Sequence, residues 1–158
     1  MTRSTPTNRP TIRRWREVVA DRLTDGVRIA QLLASEVTGD EGRLRGLTVV
    51  DADPDVEATT DGALAYRIAR ETPGNGEDAA DEATPGEAVA EVFVQPDRAR
   101  IEAIAAPETA ATAAADADLP VRPKAARPPR TLVFVEDGAR VKRALAVLEA
   151  IRSEPSAE

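Results

Sequence analysis

The chain has 158 residues, 28 of them acidic and 21 basic, a net charge of −7, and neither Cys nor His. That length fits one domain of ordinary size, and the missing residue types exclude disulfides, thiolate or imidazole metal sites, Cys nucleophiles and every His-based triad. Thirty residues are Ala and only Trp15, Tyr66, Phe93 and Phe134 are aromatic, so the core must be small and made of Val, Leu and Ile.

Residues 1–9 hold Thr, Arg, Pro and Asn with nothing to bury, and read as a flexible tail. Beyond Thr11, a plausible cap, Ile12, Trp15, Val19, Leu23, Ala30, Leu33 and Val37 fall on one helical face. Asp25-Gly26 interrupts this pattern without shifting its phase, so 11–38 is either one long helix or two with a hinge. A single helix would run roughly 40 Å at 1.5 Å per residue, longer than a compact domain of this size. Part of its apolar stripe would then lack an internal partner.

Leu47–Val50 reads as a short strand and 51–62 as an acidic turn region. Leu64, Tyr66 and Ile68 alternate with polar or small neighbours, which makes 63–70 a strand. Residues 72–86 carry Pro, Gly, Asp, Glu and Ala without an aliphatic branch, the composition of a flexible loop. Segments 88–95 and 98–105 flank Pro96-Asp97 and form a hairpin. Pro107 opens an Ala-rich helix to Ala117. A short strand is expected near 119–122, and three prolines make 122–130 extended. Thr131–Glu136 is apolar on both sides and reads as the centre of the sheet, with Phe134 against the terminal helix. Asp137 caps that helix, whose Val141, Leu145, Leu148 and Ile151 share a face.

The expected fold is therefore α+β: one mainly antiparallel sheet of about five strands, with a long N-terminal helix, an Ala-rich middle helix and a C-terminal helix. One domain spans 10–152, and 153–158 is a C-terminal tail. No run reaches the ~18 apolar residues of a membrane span, and Met1 to Pro10 lacks the apolar stretch of a secretory signal. A soluble cytoplasmic protein is expected.

With 28 acids, only Lys124 and Lys142 as lysines, and abundant Ala and Val, the composition resembles that of small uncharacterised haloarchaeal proteins. A GC-rich genome would produce the same bias. The resemblance lends no site and no activity.

Several motifs are tested and found incomplete. Asp51, Asp53, Asp55 and Glu57 begin like a calcium loop, but Val56 stands where Gly is needed and Gly62 where Glu is needed. Glu136-Asp137-Gly138 lies at a strand-to-helix turn but lacks a phosphate-binding glycine pattern. No Ser lies in a nucleophile elbow. No catalytic residue, cofactor site or specific metal site is expected, and the protein is read as no enzyme.

Charge is uneven. Residues 36–91 run near −11, whereas 119–143 hold seven basic residues against two acids. The leading expectation is a non-catalytic protein-binding or oligomeric accessory protein, with Ile12, Trp15, Val19 and Leu23 as the partner interface. The alternative is a nucleic-acid-associated protein using the Arg/Pro-rich segment 122–130. Its anion patch would comprise Arg122, Lys124, Arg127, Arg130, Arg140, Lys142 and Arg143.

Overall fold

A computed structural model describes residues 24–40, 42–72 and 84–154. Helix α1 spans Gly26–Gly39. It starts there because Asp25 is extended and its carboxylate accepts the Arg28 N–H at 3.0 Å, an N-cap that satisfies one orphan donor. A continuous helix over 11–38 is therefore wrong. The described helix has 14 residues, too few for an apolar stripe of roughly 40 Å. Ile12, Trp15, Val19 and Leu23 lie outside the described residues. Within α1 the expected periodicity holds: Ile29, Ala30, Leu33 and Val37 are buried.

Strand β1 is Leu47–Val50, β2 Ala63–Thr72, β3 Thr84–Gln95 and β4 Arg98–Ala103. The ends of the expected 72–86 loop thus belong to strands, and Thr72 pairs with Thr84. Helix α2 is Pro107–Asp116, β5 Val121–Lys124 and β6 Arg130–Val135. A 3-10 turn, Gly138–Arg140, leads into α3, Val141–Ser153. Asp137, expected to cap the helix itself, caps this preceding turn by accepting the Arg140 N–H.

The six strands lie in the order β1-β2-β3-β4-β6-β5, and every neighbouring pair is antiparallel. This corrects two expectations. Among the described residues the sheet has six strands, not about five, and its centre is the β3–β4 hairpin rather than β6. The hairpin takes the centre because both of its strands bury an unbroken alternating set, Ala90, Val92 and Val94 with Ala99, Ile101 and Ala103.

These side chains face a single helical layer. The buried cluster joins them to Ile29 and Leu33 of α1, Ala110 and Ala114 of α2, and Val147, Leu148 and Ile151 of α3. The Tyr66 hydroxyl donates to the Ala30 carbonyl at 2.7 Å, and burial pushes its phenol well above the usual range. Arg70, at the end of β2, donates to the Ile151, Arg152 and Glu154 carbonyls. It caps the C-terminus of α3 and ties it to the far side of the sheet. No described helix is long and apolar enough to cross a membrane.

Both sheet margins are blunt. Just before β5, Pro120 O accepts from the Phe134 N–H of β6. Continuing the register turns the backbone of Arg122 and Lys124 toward β6 and that of Pro123 outward. Proline has no N–H to offer another strand, so its place on the outer side loses no ladder bond and blocks extension. At the other margin β1 is four residues long, bounded by positive φ at Gly46 and Asp51.

Candidate binding face

Alternation along the strands that sends Val92, Ile101 and Val133 to the helices sends charged and aromatic residues to the opposite face. Registered pairs build two rows there. The first runs Arg67, Glu91, Glu102, Leu132, Arg122, and the second Leu64, Phe93, Arg100, Phe134.

Glu91 and Glu102 are direct cross-strand neighbours, an arrangement that destabilises a sheet when uncompensated. Arg130 compensates it. One guanidinium nitrogen lies 2.8 Å from Glu91 and 2.9 Å from Glu102. Arg67 adds a 2.9 Å bond to Glu91 and reaches Asp51 at 3.1 Å. Glu102 also pairs with Arg100 at 3.0 Å and Lys124 at 3.3 Å. Three cations thus enclose a carboxylate whose side chain is 1% exposed on a face that no described helix covers. Their aliphatic stems do the covering.

Burial would raise the Glu91 carboxyl, but hydrogen bonds from Arg67 and Arg130 and their charges outweigh it, so it titrates below the usual glutamate range. Burial would lower Arg130, but Glu91 and Glu102 raise it. Arg67 is raised by Glu91 first and Asp51 second. A carboxyl depressed in the folded state contributes stability that is fully present above its unfolded value, about 4.3, and is lost as pH falls through the folded one. The urea midpoint should therefore fall with acidification below about pH 4.3, and Glu91→Gln should flatten that dependence. An unchanged slope in the variant would show that other carboxyls set the acid limit.

In the second row, guanidiniums lie on aromatic rings. Arg98 is 4.1 Å from the Phe134 centroid and Arg100 is 4.7 Å from that of Phe93. Such stacking adds a favourable cation–quadrupole interaction and fixes the plane of the guanidinium. Phe134 is thus buried beneath Arg98, not against the terminal helix as expected. Gly62 is needed for its φ of +97, which other residues rarely adopt, and a Cβ there would also come within 2.9 Å of the Arg100 guanidinium nitrogens.

The expected anion patch is divided. Arg122, Lys124 and Arg130 belong to the open face, and Arg127 is exposed on the β5–β6 connection. Arg140 pairs with Asp137. Lys142 and Arg143 are exposed on α3 in the layer behind the sheet. Sequence reasoning missed Arg67, Glu91, Arg98, Arg100 and Glu102. Their signal was present: Glu91, Phe93 and Gln95, and Arg98, Arg100 and Glu102, occupy alternate positions opposite buried apolar ones.

The acidic loop after β1 does not gather ligands. Asp51 pairs with Arg67, and Asp53 accepts the Asp55 N–H at 2.9 Å. Among the described residues no group of three or more acidic side chains could hold a metal ion. A cleft of about 470 Å³ beside α2 is lined by Glu108, Thr109, Thr112 and Asp116, and another of about 480 Å³ by Thr38, Asp40, Arg45 and Glu71.

Among the described residues, fold and face together define a small α+β domain with one helical layer and one open sheet face carrying an ion-pair lattice. The chain belongs to a family of unknown function, DUF7993, whose family model matches residues 18–158. No curated protein and no solved structure matches it.

Proposed function

We propose that the chain is a non-catalytic binding protein whose open sheet face receives an acidic protein surface. The observation that carries this reading is the charge on that face. Arg67, Arg98, Arg100, Arg122, Lys124 and Arg130 stand against Asp51, Glu91, Glu102 and Glu136, a local excess of cations on a chain of net charge −7. Arginine and aromatic side chains on a firm backbone are the residues that anchor protein interfaces. Both sheet margins being blunt favours docking on the face over strand addition. The acidic loop 51–61 borders the β1 side, so the partner sits toward β4, β6 and β5. The working place proposed is the cytoplasm of a cell with high internal salt, which suits the acid-rich, Lys-poor composition.

A second reading is a nucleic-acid contact along β5. It is favoured by exposed Arg122 and Arg127, which have no carboxylate within 4 Å among the described residues. Arg98 and Arg100 already occupy ring faces of Phe134 and Phe93, which weighs against base stacking.

The test compares three tagged proteins as bait in molar KCl: the parent chain, R98E/R122E, and a control on the helical side, K142E/R143E. Light scattering is run beside the capture. A partner with an acidic patch should be retained by the parent and the control and lost from R98E/R122E. Loss from the helical control alone would refute the open-face reading. Nuclease-sensitive material at 260 nm would favour the second reading, and a concentration-dependent dimer would make the partner another copy.

A further inference from the structure

Among the described residues two guanidiniums of the open face, Arg98 and exposed Arg122, lack a carboxylate at hydrogen-bond length, and of these Arg98 is held in place by neighbouring side chains. Arg67, Arg100 and Arg130 each hold a carboxylate at 2.8–3.1 Å. Arg98 reaches Glu136 only at 3.6 Å, beyond hydrogen-bond length, and both side chains are substantially exposed, 34% and 41%. Its position is nevertheless fixed. The Nε–H donates to the Gln95 side chain at 2.9 Å, and the guanidinium lies on Phe134. Gln95 is held in turn by donating to the Thr60 carbonyl at 2.7 Å. Arg98 is therefore a planar donor whose orientation is set by an aromatic ring and an amide, with its terminal nitrogens weakly engaged among the described residues. A guanidinium so fixed loses little freedom on binding and offers a two-pronged fit to a planar oxyanion.

We propose that Arg98 anchors the partner, exchanging the loose contact with Glu136 for paired hydrogen bonds to an aspartate or glutamate carboxylate on the partner protein. This rests on the open-face reading above and names its recognition residue. Glu136 occupies the position in the free chain and is released on docking. The ion pairs around Glu102 remain intact, because their carboxylates are buried and their bonds short.

The experiment follows side-chain Nε–Hε and backbone amide resonances of the full chain by NMR during titration with a blocked glutamate hexapeptide. Matched titrations use a glutamine hexapeptide, inorganic phosphate and an oligothymidylate. The Arg98 Nε–Hε signal should shift with the glutamate peptide and stay in place with the glutamine peptide. Arg98→Lys, which keeps the charge and loses the planar fork, should weaken binding by about tenfold. Glu136→Gln, which removes the competitor, should tighten it. Shifts at Arg67 and Leu132 without Arg98 would overturn the anchor while leaving the open face as the docking surface. Absence of any shift on the face with the glutamate peptide would overturn both. A stronger Arg98 response to phosphate or oligothymidylate than to the glutamate peptide would overturn the carboxylate assignment.

Discussion

Replacing Arg130 by Met should destabilise the fold by about 1–3 kcal/mol, the cost of taking one charged hydrogen-bond partner from two largely buried carboxylates that keep others. Methionine keeps much of the stem and removes the nitrogen that both Glu91 and Glu102 use. The two carboxylates are registered neighbours on adjacent central strands, so without Arg130 they confront one another across the β3–β4 hairpin. Arg67, Arg100 and Lys124 remain, and they hold the loss within that range. The triple variant R130M/E91Q/E102Q should recover most of it, because the repulsion goes with the charges. Urea unfolding of the parent, the single and the triple variant checks this. A single variant within 1 kcal/mol of the parent would show that the lattice is a screened surface feature of little weight.

Gly26→Ala should cost about 3 kcal/mol, at the upper end for overpacking. Helix propensity alone predicts the opposite sign, a gain of about 1 kcal/mol for Ala over Gly. The added methyl would lie 1.9 Å from the Gln95 carbonyl oxygen and 2.5 Å from that of Arg98. Both obstacles are backbone at the β3–β4 turn, so no rotamer change makes room. The helix must lift from the hairpin, breaking the Gly26 N–H bond to the Pro96 carbonyl. Gly39, at the other end of α1, has nothing within 4 Å of its missing Cβ, so Gly39→Ala should be neutral or slightly stabilising. Thermal unfolding of both variants separates packing from propensity. Equal, small changes would refute the close approach at Gly26.

These two sites mark where the sequence could and could not be read. Strand and helix types were legible because apolar residues repeat at period two in β2 and β4 and at helical spacing in α3. Asp25-Gly26 was visible as a weak point but not as a boundary. Leu23 and Ala30 are seven residues apart, two helical turns, so the phase carries across the break by coincidence. That Gly26 must be glycine depends on the β3–β4 turn, about 70 residues away. Phe134 was assigned to the wrong side because Val133 and Phe134 are both apolar, and alternation alone does not say which one meets the helices. The lattice was illegible as a unit. Glu91, Glu102 and Arg130 come from three strands, and only the register places one cation between two acids.

The cap that Arg70 supplies to α3 also bears on how the chain is made. Translation delivers every strand before α3, and the apolar side of the sheet needs Val147, Leu148 and Ile151 to be closed. On the ribosome the nascent sheet therefore carries an open hydrophobic face until the last helix leaves the exit tunnel. Apolar surface left uncovered in that interval is the kind that aggregates. Docking of α3 against β2 is then the event that ends it, and the carbonyls held by Arg70 are its latch.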